Sequence, residues 1–61
     1  MKLKIEIKMD NAAFGETNGL EVSRILTQLA GKVDYERLNV GDAIACMDAN
    51  GNRVGQLKVT R

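Results

Sequence analysis

Two stretches of the sequence contain residue types that can do chemistry. They are the single thiol, Cys46, and the oxygen-rich run Asp48-Ala49-Asn50-Gly51-Asn52. The run resembles the start of a calcium loop, which needs glycine at its sixth position and glutamate at its twelfth, where this chain has Arg53 and Val59. The chain has no histidine that could activate a nucleophile. A reactive cysteine also needs exposure and a cationic neighbour, whereas the strand pattern places Cys46 on the core face beside Ile44. We therefore predict a buried, inert Cys46, no metal, no cofactor and no enzymatic activity.

The residues at the start of the chain predict a strand, β1, over 2–9. Leu3, Ile5, Ile7 and Met9 alternate with charged residues, which is typical of a strand with one covered face and one wet face. From Gly19 the apolar period changes to 3.6, which predicts a helix over about 19–33. Asn18 is the expected N-cap, with Glu21 completing a box-like pair.

The C-terminal third of the chain predicts a hairpin, with strands β2 over 43–48 and β3 over 53–60. Asn50-Gly51 between two strand-like runs favours a two-residue type I′ turn. Such a loop fixes the register, and the expected pairs are Ile44 with Leu57, Cys46 with Gly55, Met47 with Val54, and Asp48 with Arg53. A slip by one residue would separate Ile44 from Leu57, so the apolar pattern and the turn agree on this register.

The order β-α-β-β predicts an α+β fold of one domain over 1–61. A crossover through the helix returns the chain parallel to β1, and β3 then lies between the other two strands. The result is a two-layer fold with one helix on a three-stranded antiparallel sheet of order β1-β3-β2. The expected core comprises Leu3, Ile5, Ile7, Met9, Phe14, Val22, Ile25, Leu26, Leu29, Val33, Ile44, Cys46, Leu57 and Val59. Tyr35, Leu38 and Val40 are candidates to cover one end of it.

Two surfaces of this fold are candidates for binding a partner. The sheet face away from the helix carries Lys2, Lys4, Lys8 and Lys58 against a single Glu6, so it is basic although the formal net charge of the chain is only +1. The β2 edge from Ala43 to Met47 has no charge, no proline and no evident bulge, and natural sheets usually protect such an edge. The expected partner-binding residues there are Ala43, Ala45 and Met47, with Val54 beside them.

The arrangement Asp10-Asn11-Ala12-Ala13-Phe14, an apolar helix, Gly41-Asp42, and then Asp48-Ala49-Asn50-Gly51-Asn52-Arg53-Val54-Gly55 resembles a group of short uncharacterised proteins of phage and prophage genomes. The resemblance covers nearly the whole chain. It implies a bacterial or phage origin and no established activity. Small phage products often bind and block or redirect host proteins, and the resemblance implies no particular site residue.

These observations predict a non-catalytic interaction protein that binds a host protein, or a second copy of itself, through the exposed sheet face and the β2 edge. The alternative is a nucleic-acid-binding accessory protein that uses the lysine-rich face, although this face lacks the aromatic residues that usually stack on bases. The N-terminus has a charge at every second position, so we expect no signal peptide, and the apolar runs are too short for us to expect a membrane span. A single cysteine is typical of a reducing compartment. We expect a cytoplasmic protein with no small-molecule substrate.

Overall fold

A computed structural model describes residues 1–34 and 37–61. Its elements, in chain order, are β1 (Lys2–Ile7), a short 3-10 helix (Ala12–Phe14), α1 (Asn18–Val33), β2 (Ala43–Met47) and β3 (Arg53–Thr60). The strands form an antiparallel sheet of order β1-β3-β2. The predicted fold class and strand order are therefore confirmed.

The pairing of β1 with β3 follows the alternation in the sequence. Leu3 lies opposite Val59 and Ile5 lies opposite Leu57, so the apolar side chains of both strands share one face. Gly55 lies opposite Ile7, and a Cβ atom on Gly55 would fall on the carbonyl group of Glu6, at 2.7 Å from its carbon. The close approach of β1 to β3 therefore requires glycine at position 55.

The hairpin between β2 and β3 has a three-residue loop in place of the predicted two-residue type I′ turn. The Gly51 amide donates to the Asp48 carbonyl (3.1 Å), the Asp48 amide donates to the Asn52 carbonyl (2.8 Å), and only Gly51 in the loop has a positive φ. Asp at the first position and glycine at the fourth are the preferences of a type I turn followed by a left-handed residue.

The longer loop changes the register near the turn. Met47 now lies opposite Arg53, and Cys46 lies opposite Gly55 as predicted, so Val54 is an extra residue between the two pairs. This β-bulge restores the predicted pairing of Ile44 with Leu57. The predicted Met47–Val54 and Asp48–Arg53 pairs are wrong.

The core lies between α1 and the sheet, and it is narrower than predicted. Its buried apolar residues are Phe14, Ile25, Leu29, Cys46, Val54, Leu57 and Val59. Of the residues predicted in the core, Leu3, Ile5, Met9 and Leu26 remain substantially exposed. At the end of the sheet Leu38 packs against the core but Val40 is exposed, and Tyr35 lies outside the described residues.

The helix begins one residue earlier than predicted. Thr17 occupies the N-cap position without a side-chain hydrogen bond, and Asn18 is the first helical residue, so the predicted Asn18–Glu21 capping pair is wrong. Glu21 is buried although the helical pattern placed it on the wet side.

Candidate interaction surfaces

The predicted basic face is assembled by the strand register. Lys4 lies directly opposite Lys58, and Lys2 lies opposite Thr60. The amide of Lys8 donates to the Val54 carbonyl (2.8 Å), which continues the ladder past the end of β1. All four lysines are exposed. Like charges directly opposite each other are unfavourable in a sheet, so Lys58 repels Lys4.

The β2 edge is open only over part of its length. The Val59 amide donates to the Asp42 carbonyl (2.9 Å), and in an antiparallel ladder the backbone groups of alternate residues point to opposite sides. The amides and carbonyls of Ala43 and Ala45 therefore point away from the sheet. The carbonyl of Met47 accepts a hydrogen bond from the Arg24 guanidinium (2.9 Å), so this end of the edge is occupied by a side chain of α1.

Val54 is not available as the partner-binding residue that the sequence predicted. Its side chain is only 7% exposed and belongs to the core. The cause is the bulge, which adds one residue to β3 and turns Val54 from the open face toward the helix. Of the predicted contact residues on the hairpin, Ala43 is exposed and Ala45 and Met47 are half-buried.

An ion pair between two helical residues fixes α1 against the hairpin. The Arg24 Nε atom lies 2.7 Å from Glu21 Oε1, and Glu21 Oε2 accepts a hydrogen bond from the Ala49 amide (2.8 Å). The hydrogen bond from Arg24 is the main cause that lowers the pKa of the Glu21 carboxyl, and the same bond raises the pKa of Arg24. Sequence reasoning missed this pair because both residues fall on the polar side of the helical pattern.

The Asp48 carboxylate organises the loop of the hairpin. It accepts hydrogen bonds from the amides of Asn50 and Asn52 (2.8 Å each) and from the side chain of Asn11 (2.7 Å). These bonds, led by the one from the Asn52 amide, lower the pKa of Asp48. The carboxylate therefore serves as a structural acceptor, while Arg53 donates instead to the side chain of Gln56 (2.9 Å).

The structure places the one thiol in the core, as predicted. Cys46 is buried, and burial raises the pKa of its thiol, which disfavours the nucleophilic thiolate. Within residues 1–34 and 37–61, no group of three or more cysteine, aspartate or glutamate side chains is placed to hold a metal ion.

A shallow depression on the open face is lined in part by Glu6, Lys8 and Gln56.

The edge formed by β1 is a second candidate, and sequence reasoning missed it. Because the Lys8 amide points toward β3, the amides and carbonyls of Leu3, Ile5 and Ile7 point outward. The side chains of Leu3 and Ile5 are 48% and 42% exposed. Of the strands, β2 makes the most extensive contact with α1, so the apolar face of β1 remains partly exposed to solvent.

A signal for this bare strip was present in the sequence. A helix with its side chains is about 10–12 Å wide, and strands lie about 4.8 Å apart. One helix therefore covers about two strands, and an edge strand of a three-stranded sheet is left partly open. Which of the two edges is open depends on the position of the helix, which Glu21 and Arg24 tie to the β2 side.

A comparison of the chain with models of protein families, with curated proteins and with solved structures finds no significant match. Among the residues that the structure describes, no helix has the length and apolar character needed to cross a membrane.

Proposed function

We propose that this protein is a non-catalytic binding protein that recruits a protein partner by strand addition to its sheet. In strand addition the main-chain groups of an edge provide affinity, and the neighbouring side chains provide specificity. The observation that carries the proposal is the β1 edge, where outward backbone groups stand beside the half-exposed side chains of Leu3 and Ile5. The burial of Cys46, and the burial and hydrogen bonds of the Asp48 carboxylate, support structural roles for these two residues.

The contacts favour β1 over β2 as the principal binding edge. The sequence pointed to β2, but the Met47 carbonyl is already bonded to Arg24 and the side chain of Val54 is buried. The β2 edge offers mainly the small side chains of Ala43 and Ala45. The β1 edge instead offers large apolar side chains on one face and lysines on the other, and both contribute to a partner's affinity.

A photo-crosslinking experiment tests this proposal by position. A benzophenone amino acid replaces Ile5 on β1, Ala45 on β2, or Thr27, an exposed residue of the helix, and each variant is irradiated in a bacterial lysate. We expect specific protein adducts from position 5, few from position 45 and background from position 27. Equal labelling from positions 5 and 27 would contradict a role for the β1 edge.

A second candidate function rests on the basic face. Lys2, Lys4, Lys8 and Lys58 form one exposed surface that could hold phosphates weakly. Phe14, the one aromatic residue within residues 1–34 and 37–61, is buried and offers no stacking surface to a base. Binding to single- or double-stranded DNA at low salt that is lost in a Lys2→Glu/Lys58→Glu variant would support this alternative. The absence of binding at low salt would dispose of it.

We also propose a phage or prophage origin and action in the cytoplasm. The residue arrangement from Asp10 to Phe14 and from Asp48 to Gly55 supports the first. The free, buried Cys46 supports the second, because unpaired thiols are typical of a reducing compartment. In such a setting, the natural partner is a host protein or a second copy of this chain.

A further inference from the structure

We propose that the β1 edge pairs with the β1 edge of a second copy of this chain, antiparallel and centred on Ile5. This inference rests on the proposed function and names one occupant of the surface. Two sheets joined in this way form one continuous sheet, with a twofold axis between the two Ile5 residues. Both copies of α1 then lie on the same face of that sheet.

The charges along β1 are complementary in this register. With Ile5 opposite Ile5, Lys4 of each copy lies opposite Glu6 of the other, so two Lys–Glu pairs flank the axis. Within its own sheet Lys4 has Lys58 opposite it, and Glu6 has the uncharged Gln56. Pairing between copies therefore gives both charges the favourable neighbour that their own sheet does not supply. Lys2 of each copy lies opposite Lys8 of the other at the ends of the ladder, where long side chains can separate in solvent.

The backbone and the apolar side chains fit the same register. The outward amides and carbonyls of Leu3, Ile5 and Ile7 pair with those of Ile7, Ile5 and Leu3 in the second copy, so this part of the edge is satisfied. The half-exposed side chains of Leu3 and Ile5 come together between the two helices. The strip that one helix leaves bare is thereby covered by the same strip of the other copy.

The neighbouring registers are less favourable. A shift of one residue would place the apolar face of one copy against the charged face of the other. A shift of two residues in one direction puts Lys4 opposite Lys4, which together with Lys58 of each copy makes a row of four lysines across the axis, although Lys2 then lies opposite Glu6. The same shift in the other direction puts Glu6 opposite Glu6 and Lys4 opposite Lys8. Only the register centred on Ile5 keeps like charges away from the axis.

Charge exchange at the two flanking positions tests the register. Analytical ultracentrifugation over about 10 µM to 1 mM measures association of the full chain, a range suited to a small interface of modest affinity. We expect Lys4→Glu, and separately Glu6→Lys, to weaken association by about tenfold or more, since each replaces two opposite-charge pairs with two like-charge pairs. The double variant Lys4→Glu/Glu6→Lys restores both pairs with the charges exchanged, and an equimolar mixture of the two single variants also associates.

A matched control separates pairing from general charge effects. Lys58→Glu makes the same change on the same face but one strand farther from the edge, about 10 Å from Glu6 of the second copy, where salt screens the interaction. Lys4→Glu and Lys58→Glu each remove the Lys4–Lys58 repulsion inside the sheet, so both variants should fold at least as well as the parent. Circular dichroism verifies folding before each association measurement.

The possible results separate this inference from the proposed function. A monomeric parent protein at about 1 mM, a Lys4→Glu variant that associates no more weakly than Lys58→Glu, or a double variant that stays dissociated would each overturn the pairing. If the parent is monomeric while the photoreactive residue at position 5 still labels another protein, the proposed function stands and self-pairing falls. If the parent is monomeric and the photoreactive residue at position 5 labels no other protein, both the self-pairing and the proposed function are refuted.

Discussion

Replacing Gly55 with alanine should separate β1 from the rest of the sheet. A Cβ atom at this position would overlap the Glu6 carbonyl oxygen and lie 2.7 Å from its carbon, where ordinary contacts begin at 3.4 Å. The β1 strand must therefore move outward by about 0.7 Å or more, which stretches neighbouring bonds such as the 2.8 Å bond from the Lys8 amide to Val54. Overpacking of this kind costs about 1–3 kcal/mol, and one weakened hydrogen bond adds about 1 kcal/mol.

The free energy of unfolding should therefore fall by about 2–4 kcal/mol, from a total of about 3–9 kcal/mol for a domain of this size. In a domain of 61 residues this corresponds to a fall in Tm of roughly 15–30 °C, at about 8 °C per kcal/mol. Urea and thermal unfolding monitored by circular dichroism measure the change. Amide hydrogen exchange at Lys8, whose bond to the Val54 carbonyl joins the two strands beside Gly55, locates the change.

Gly31→Ala is the matched control. Gly31 lies in α1, and among residues 1–34 and 37–61 no atom outside the helix's own backbone approaches its Cβ position within 4 Å. Alanine is favoured over glycine inside a helix by about 0.5–1 kcal/mol, so this variant should be more stable than the parent. A Gly55→Ala protein with the parent's unfolding midpoint and the parent's protection at Lys8 would refute the close approach of the two strands.

Three further outcomes follow from the core and the loop. Ile25→Ala should cost about 2–5 kcal/mol because the side chain is only 1% exposed, while Leu26→Ala, at 42% exposed, should cost less than about half as much in the same urea titration. Folding lowers the pKa of Asp48 and Glu21, so their contribution is complete above the ordinary carboxyl pKa and is lost as the pH falls below about 4. Urea midpoints measured against pH should fall in acid for the parent and fall less steeply for Asp48→Asn, and identical slopes would contradict the role of Asp48. The buried Cys46 thiol should react with iodoacetamide only as fast as the protein opens, so rapid labelling of the folded protein at neutral pH would contradict its burial.

The β1 strand, the order of the sheet and the pairing of Ile44 with Leu57 could be predicted because they rest on apolar periodicity. A period of two fixes which face of β1 is covered, and Leu57 has to share the face of Ile44. Burial of Cys46 follows from the same pattern. These features depend on the sequence of each strand and on the handedness rule for crossovers, and they do not depend on individual hydrogen bonds of side chains.

The turn and the bulge could not be predicted from the Asn50-Gly51 pair alone. The two-residue loop and the observed three-residue loop use the same residues, and Asp48 decides between them through hydrogen bonds to the amides of Asn50 and Asn52. The longer loop then requires the bulge that buries Val54. A difference of one residue in the loop thus moved a predicted contact residue into the core.

The position of the helix over the sheet also could not be predicted from the pattern of polar and apolar residues. Glu21 and Arg24 read as solvent-facing, but they bind the Ala49 amide and the Met47 carbonyl, which are backbone groups and carry no sequence signal. These bonds hold α1 toward β2 and leave Leu3 and Ile5 half bare. The candidate surface therefore changes from the β2 edge to the β1 edge.

The most direct test of the β1 edge as the binding surface is amide hydrogen exchange at two positions and two concentrations. The amides of Ile5 and Ala45 both point outward, one on each edge of the sheet. Between about 20 µM and about 1 mM protein, exchange at Ile5 should slow as copies pair, while exchange at Ala45 should stay constant. Constant exchange at Ile5 would contradict pairing through β1, and slower exchange at Ala45 in its place would return the binding surface to β2.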